Sequence, residues 1–514
     1  MSAEDRKTTG VHVAPSTGRL AAYTGWNLFG FCAPMIVAVV AIPLLIRYLG
    51  PDRFGTFSLV WMVIGYFSIF DMGLGRAMTR FIAERLGRQR HDEVPGIFWT
   101  AMGLMVGLGL AGAALAAGLT PWLVYHRLQI PVGLRPEVAG SFFIAAAGLP
   151  VVVATAGLIG VLEAHQHFRL INVIRMPMGI YTFLGPLAVL PFTQNLFVVV
   201  AVLMLGRVAE CLIYFIFCLR EVPALRTHRT FCPALVGPLF GFGGWMTVSD
   251  IAMPLLVHID RFLIGSVLSV SAVTYYVTPA EVVVKFLIFP RAWISVLFPT
   301  FAARHATDPH GTANLYARGV KFLMAVSFPA ALVLTGFAGE GLGLWLGPEF
   351  AVRSTPVMRW LTAGIFVYSL AYVPFSLLQG CGRPDLSARL HVAEVACYAF
   401  LSVFLIHRLG IEGAALAWFL RSLVDAVGMF WLAHRFAPGS GRAIARSAAV
   451  TAVALVSMAV VVCIPQVAMR LAAVPLLLAV FALLVWFWLF SGEERQSLLE
   501  LVRNGIGGLT AKRR

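Results

Sequence analysis

Apolar runs long enough to cross a bilayer follow one another along almost the whole chain, separated only by short polar breaks. That succession restricts the fold more than any single motif does. A helix needs roughly 20 mostly apolar residues to span the hydrocarbon core, and only helices or closed barrels satisfy their backbone groups there. On that criterion fourteen spans fall near 22–46, 54–78, 94–120, 139–162, 172–192, 196–219, 236–266, 272–302, 319–346, 355–381, 386–408, 411–436, 443–465 and 471–491. No interval between them is long enough for a separate soluble domain. Composition agrees: 59% of residues are apolar and 12% charged, with mean hydropathy +0.85, where a soluble domain carries about 25% charged residues. The expected fold is therefore an all-α integral membrane protein of about 14 transmembrane helices.

The formal net charge of +15 would suit nucleic acid only if it formed a basic patch on a polar surface. Here the cations sit in short loops between apolar runs, so no nucleic-acid partner is expected. They read instead as topology signals and contacts to membrane lipids. Of 39 Lys and Arg residues, 26 fall in loops or within about three residues of a span end on the side of the N-terminus, 7 on the other side and 6 deeper inside spans. Cations stay preferentially cytoplasmic, so this split places both termini in the cytoplasm and the chain as a multi-pass protein of the cell inner membrane. The first twenty residues include Arg6, Lys7 and Arg19 but no short apolar core, which argues against a cleaved signal peptide. Beyond Phe490, Leu498, Leu499, Leu501 and Val502 suggest a short interfacial helix.

The two halves repeat weakly. Arg47-Tyr48-Leu49 near the end of the first span matches Arg261-Phe262-Leu263 near the end of the seventh, an offset of 214. The same offset pairs Arg207 with Arg421, and each is followed one turn later by an acid, Glu210 and Asp425. Parallel repeats of this kind build transporters. The expected organisation is a cytoplasmic N-terminal tail (1–21), an N-lobe of six helices (22–219), a C-lobe of six (236–436), two extra helices (443–491) and a cytoplasmic C-terminal tail (492–514). The two lobes are expected to surround a central cavity.

Other features have ordinary structural readings. Pro43, Pro290 and Pro299 are expected to kink their spans, and Gly50 and Gly55 to bracket Pro51-Asp52-Arg53-Phe54 as a tight turn. Gly103, Gly107, Gly109 and Gly112 form a small-residue face suited to helix packing. The seven cysteines are scattered and include no CxxC, so neither a disulfide framework nor a zinc site is expected. There is no GxxxxGK[ST], HExxH or GxSxG, so no cofactor is expected and the chain does not read as an enzyme.

The segment IPLLIRYLGPDRFGTFSLVWMVIGYFSIFDMGLGRAMTRFIAERLG, Ile42 to Gly87, resembles the opening of the polysaccharide-transporter branch of the MOP exporter superfamily. DRFLIGSVLSVSAVTYYVTPAEVVVK resembles that family's seventh and eighth helices, LLQGCGRPD the turn after its tenth, and LGIEGAALAWFLR the start of its twelfth. The resemblance implies a Wzx-type flippase. Its cargo would be a polyprenyl-diphosphate-linked oligosaccharide for surface polysaccharide biosynthesis, moved to the outer leaflet by alternating access. Polysaccharide polymerase machinery would be a further partner.

Intramembrane charges then acquire candidate roles, since each costs about 2.5–3.5 kcal/mol at mid-bilayer on insertion scales. Lys285 and Arg291 in the eighth span are offset locally only by Glu281, and Arg261 precedes them on the seventh. Cations in a low-dielectric cavity suit a diphosphate, which accepts charge-assisted hydrogen bonds. Arg261, Lys285 and Arg291 are therefore the candidate headgroup ligands, with Arg47 at the outer rim. Asp71 and Glu281 are candidates for ion coupling or for charge balance. Arg207 with Glu210 and Arg421 with Asp425 are expected to pair along their own helices. Two other functions fit the architecture. An ion-coupled multidrug exporter of the same fold would favour an acidic or aromatic cavity. A membrane glycan polymerase or ligase would need a large outer loop, and none is present.

Overall fold

The computed structural model describes the backbone of residues 17–66, 71–165, 167–227, 230–304, 308–492 and 494–496; side chains at 17–35, 241–255 and a few isolated positions lie outside the description. Outside it too fall the N-terminal tail up to residue 16 and the interfacial helix expected around Leu498. Among the described residues the regular structure is all helical. In order the helices are α1 (Thr17–Tyr66), α2 (Leu74–Gly87), α3 (Val94–Trp122), α4 (Arg135–Ala164), α5 (Phe168–Val189) and α6 (Leu196–Glu221). The short α7 (Ala224–Thr227) precedes α8 (Val236–Val267), α9 (Val270–Val284), α10 (Ile288–Arg304) and α11 (Pro309–Gly336). Then come α12 (Ala338–Leu346), α13 (Pro348–Gly380), α14 (Pro384–Leu409), α15 (Ile411–His434), α16 (Gly441–Cys463) and α17 (Val467–Leu484).

Eleven segments among the described residues are long and apolar enough to cross a membrane. They coincide with the expected third to sixth and eighth to fourteenth spans. The eighth is one segment, Val270–Arg291, carried from α9 into α10 through a 3-10 turn at Lys285–Leu287. That turn has a local cause: Pro290 has no amide hydrogen, and its ring crowds the carbonyl four residues back, so the preceding turn tightens.

The first two expected spans are cut differently. Gly50 alone breaks α1, at φ 74 and ψ 166, and the helix resumes at Pro51. Glycine tolerates that backbone, and proline suits the first position of a helix because its missing donor would be unsatisfied there anyway. The tight turn expected between Gly50 and Gly55 is thus a single residue, and Gly55 is helical. It lies so close to the carbonyl of Val270 that a Cβ would overlap it. The expected second span does not run to 78. Met72 and Gly73 both have positive φ, and α2 begins afresh at Leu74.

The chain divides into two compact units. One comprises residues up to Gly50, Val63–Trp122 and Gly133–Thr247; the other comprises Pro51–Met62, Leu123–Val132 and Val248–Arg514. In the first, α4 is the central helix, packed by α2, α3 and α6. Close approach depends on small residues, as in other membrane bundles: a Cβ on Gly109 would press on the backbone of Pro150, and one on Gly160 on the carbonyl of Gly75. Of the expected glycine face, Gly109 and Gly112 are buried while Gly107 opens to empty space.

In the second unit α13 is central, packed by α9, α10, α11, α12 and α15. Helices α16 and α17 dock on α11. The buried Arg470 of α17 donates to the carbonyl of Gly336 at 2.6 Å and pairs with Glu340 of α12. Beyond α17, Glu494 pairs with Lys321 at 3.0 Å and with Arg318 at 3.3 Å. Helix starts repeat between the units: Val94 and Pro309, Arg135 and Pro348, Phe168 and Pro384, Leu196 and Ile411 each lie within two residues of the offset of 214.

Candidate functional site

Most of the buried charge of the second unit gathers where α8, α9, α13, α14 and α15 meet. It begins with the adjacent pair Asp260 and Arg261, 2% and 6% exposed. The Asp260 carboxylate accepts the Arg261 amide at 2.8 Å and the hydroxyl of Tyr276 from α9, with the Tyr398 hydroxyl of α14 at 3.5 Å. The guanidinium of Arg261 donates to Glu281 at 3.0 Å, and the other oxygen of Glu281 lies 3.8 Å from Lys285. The order is therefore acid, cation, acid, cation. Glu281 thus lies between two cations, whereas Asp260 is held by an amide and two phenol hydroxyls. Lys285 is exposed at the open end of this run, and Arg291 is also exposed, with no ion pair among the described residues. Asp260, Arg261, Tyr276 and Ala280 line a small cavity together with Leu361 and Trp418.

The structure thus brings Arg261, Glu281 and Lys285 together. Arg291 lies a turn and a half beyond Lys285 on the same continuous segment. Arg47 belongs to the other unit and is exposed. Asp71 belongs to that unit too and does local work: it accepts the amide of Gly73 at 2.7 Å, closing the break before α2. Among the described residues it has no ion pair, so its geometry is that of a turn residue.

The two expected arginine pairs behave differently. Arg207 and Glu210 pair along α6 at 2.9 Å, as the spacing predicts. Arg421 does not pair with Asp425. Its guanidinium lies 3.7 Å from Glu394 of α14, while Asp425 lies 3.3 Å from the imidazole of His391, also of α14. The physical reason is that α14 packs directly on this face of α15. It presents a carboxylate and an imidazole where the spacing argument assumed no neighbour. Three rings surround the guanidinium of Arg421, Tyr368 at 5.3 Å, Trp418 at 5.4 Å and Tyr398 at 5.5 Å, all within cation–π range. Tyr398 joins the two clusters, since its ring faces Arg421 and its hydroxyl faces Asp260.

Residue-by-residue reading missed His391, Glu394, Tyr276 and Tyr398. A signal for the first two was present: an ionisable residue within an apolar run marks a candidate site, and His391 and Glu394 stand three apart within one. The tyrosines carry no such mark, because their role depends on which helix faces them.

The arrangement offers fixed cations of one unit, graded from buried Arg261 to exposed Lys285 and Arg291. These can bind an anionic group.

Known proteins resemble this chain in sequence and in shape. A Shigella flexneri protein named "Putative O-antigen transporter" is 29% identical over 411 residues, covering 80% of this chain and 96% of its own length. The solved structure of the lipid II flippase MurJ in an inward closed conformation superposes with a TM-score of 0.69 at 9% identity, covering 90% of this chain and 98% of that one. An inward-facing multidrug-resistance MATE transporter of the MOP superfamily gives 0.65 at 15% identity, covering 80% and 98%. Likeness at such identities speaks for the fold. The polysaccharide biosynthesis protein family matches residues 20–305, more than half of the 514. The chain therefore belongs to that family, on the all-helical fold of the MOP-superfamily transporters.

Proposed function

We propose that this chain is a flippase that carries a lipid-linked oligosaccharide, joined to a polyprenyl carrier through a diphosphate, from the cytoplasmic to the outer leaflet of the inner membrane. The observation that carries the reading is the cation series Arg261, Lys285 and Arg291. Arg261 is held in place by Asp260 and Glu281, while Lys285 and Arg291 stay exposed to meet a ligand. A diphosphate accepts several charge-assisted hydrogen bonds at once, which suits fixed donors on a rigid helix. Family membership and the O-antigen transporter relative support the same cargo class.

On this reading both termini face the cytoplasm, polysaccharide polymerase machinery takes the product, and the site opens to one side at a time. The contact of Gly55 with Val270, reinforced by the Thr274 hydroxyl donating to the Pro51 carbonyl at 2.6 Å, is a candidate for the contact that opens and closes.

The test is the double variant Lys285→Ala/Arg291→Ala. Loss of charged hydrogen bonds worth about 1.5–3 kcal/mol each lowers headgroup recognition by roughly ten- to a hundredfold per residue. The expected result is normal membrane insertion with little surface polysaccharide, and lipid-linked glycan accumulating on the cytoplasmic leaflet. Normal surface polysaccharide from this variant would refute the site.

A further inference from the structure

The cluster around Arg421 is incomplete in charge. Arg421, Glu394, Asp425 and His391 are 4%, 5%, 1% and 5% exposed. Both oxygens of Glu394, one of Asp425 and the Nε and one terminal nitrogen of Arg421 make no hydrogen bond among the described residues. With a neutral imidazole, these four side chains carry two negative charges and one positive. The other charged groups near them among the described residues form a run of their own: Asp260, reached through Tyr398, accepts the backbone amide of Arg261, and Glu281 lies between the Arg261 guanidinium and Lys285. The remaining titratable neighbours are Tyr368 and Tyr372 of α13, Tyr276 of α9 and Tyr398 of α14, which are neutral phenols near pH 7. A net charge of −1 buried among aromatic rings is costly, and one bound cation removes it.

We propose that this cluster is a proton-binding site. The missing cation is a proton rather than a metal ion for two reasons. Among the described residues no three His, Cys, Asp or Glu side chains are placed to ligate a metal. The Arg421 guanidinium already stands beside Glu394, and His391 adds a base 3.3 Å from Asp425. The proton is assigned to the cluster of Glu394, Asp425 and His391 as a whole, not to one atom of it. A narrow cleft lined by Tyr372, Phe375, His391 and Asp425 reaches the group.

The site is tested on the purified full-length chain in lipid nanodiscs without cargo, so the outcome does not depend on the flippase reading. Unfolding free energy is followed between about pH 7.5 and pH 9, where an unfolded chain has released its carboxyl and about nine-tenths of its histidine protons. A proton held only by the folded cluster makes stability fall as pH rises, with a slope of one proton per molecule. Glu394→Gln and Asp425→Asn each cancel one negative charge at nearly constant shape, and each is expected to remove that one-proton slope. Glu210→Gln in the other unit is expected to keep it. The proposal is overturned if the slope is absent in the parent chain, if it survives in whichever of the two variants folds, or if Glu210→Gln abolishes it equally.

Discussion

Helices α6 and α15 carry the same pattern, an arginine followed by an acid one turn later, yet the two arginines have different partners. Arg207 closes on Glu210 of its own helix, with its side chain 37% exposed. Arg421 is buried, leaves Asp425 to His391, and faces Glu394 inside three aromatic rings. Spacing decides which residues share a helix face. The helix packed on that face decides whom they meet. A pair at the edge of a bundle keeps its sequence partner, whereas a pair at a helix–helix seam exchanges it for one across the seam.

The comparison can be broken by removing each cation in turn. Arg421→Ala is expected to have the largest effect, because it leaves Glu394 and Asp425 buried with no guanidinium; losses from such networks run to about 3–5 kcal/mol. Reversible unfolding in mixed micelles measures it. A loss no larger than that of Arg207→Ala would mean that burial at the seam adds nothing.

A smaller effect is expected at Glu494, which holds Lys321 in a part-buried pair beyond the last span. Burial pushes its carboxyl up, but the Ser491 amide and the Lys321 ammonium outweigh this and hold it below the usual carboxylate range. A carboxylate held low stabilises in full above its unfolded value of about 4.3, and that contribution is lost as pH falls through the lower folded value. Glu494→Gln is expected to cost about 1.5–3 kcal/mol and to raise amide hydrogen exchange around Ser491–Arg495. Exchange that stays at the parent level would show that the pair does not hold this segment.

Arg207→Ala is expected to matter least, about 1 kcal/mol, the upper end for part-exposed ion pairs. A loss of several kcal/mol would place the α6 pair in the same class as the α15 cluster and erase the distinction.

What was legible in the sequence follows from the same logic. Properties that act along one helix read well: span ends at Val94, Leu196, Val236 and Ile411, the Arg207 pair, and the family resemblance, since apolar length and local spacing determine them. Breaks that hinge on a single backbone angle read poorly. Sequence offers a four-residue turn after Gly50 where a single residue makes the break, and Asp71, Met72 and Gly73 interrupt the helix before Leu74 without interrupting the apolar run. Of the candidate ligands, Arg261 and Lys285 meet at Glu281, which spacing along one helix could show only for Lys285; the Asp71 carboxylate accepts the Gly73 amide, a contact that depends on the backbone break between them. The cluster around Arg421 was half seen, because its other half lies on a helix 27 to 34 positions earlier in the chain.

The 3-10 turn at Lys285–Leu287 also sets the bearing of the charges around it. An α-helix advances about 100° per residue, which would put Arg291 about 80° away from Glu281 around the axis. Three residues wound at up to about 120° each recover as much as about 60° of that angle. Arg291 then lies within about 20° of Glu281 and about 60° of Lys285, so charges that would have spread over about 120° of the helix surface are gathered into about half that arc. On the proposed function, an anion passing from one cation of this segment to the next would have about half as far to turn around the axis as on an unbroken α-helix.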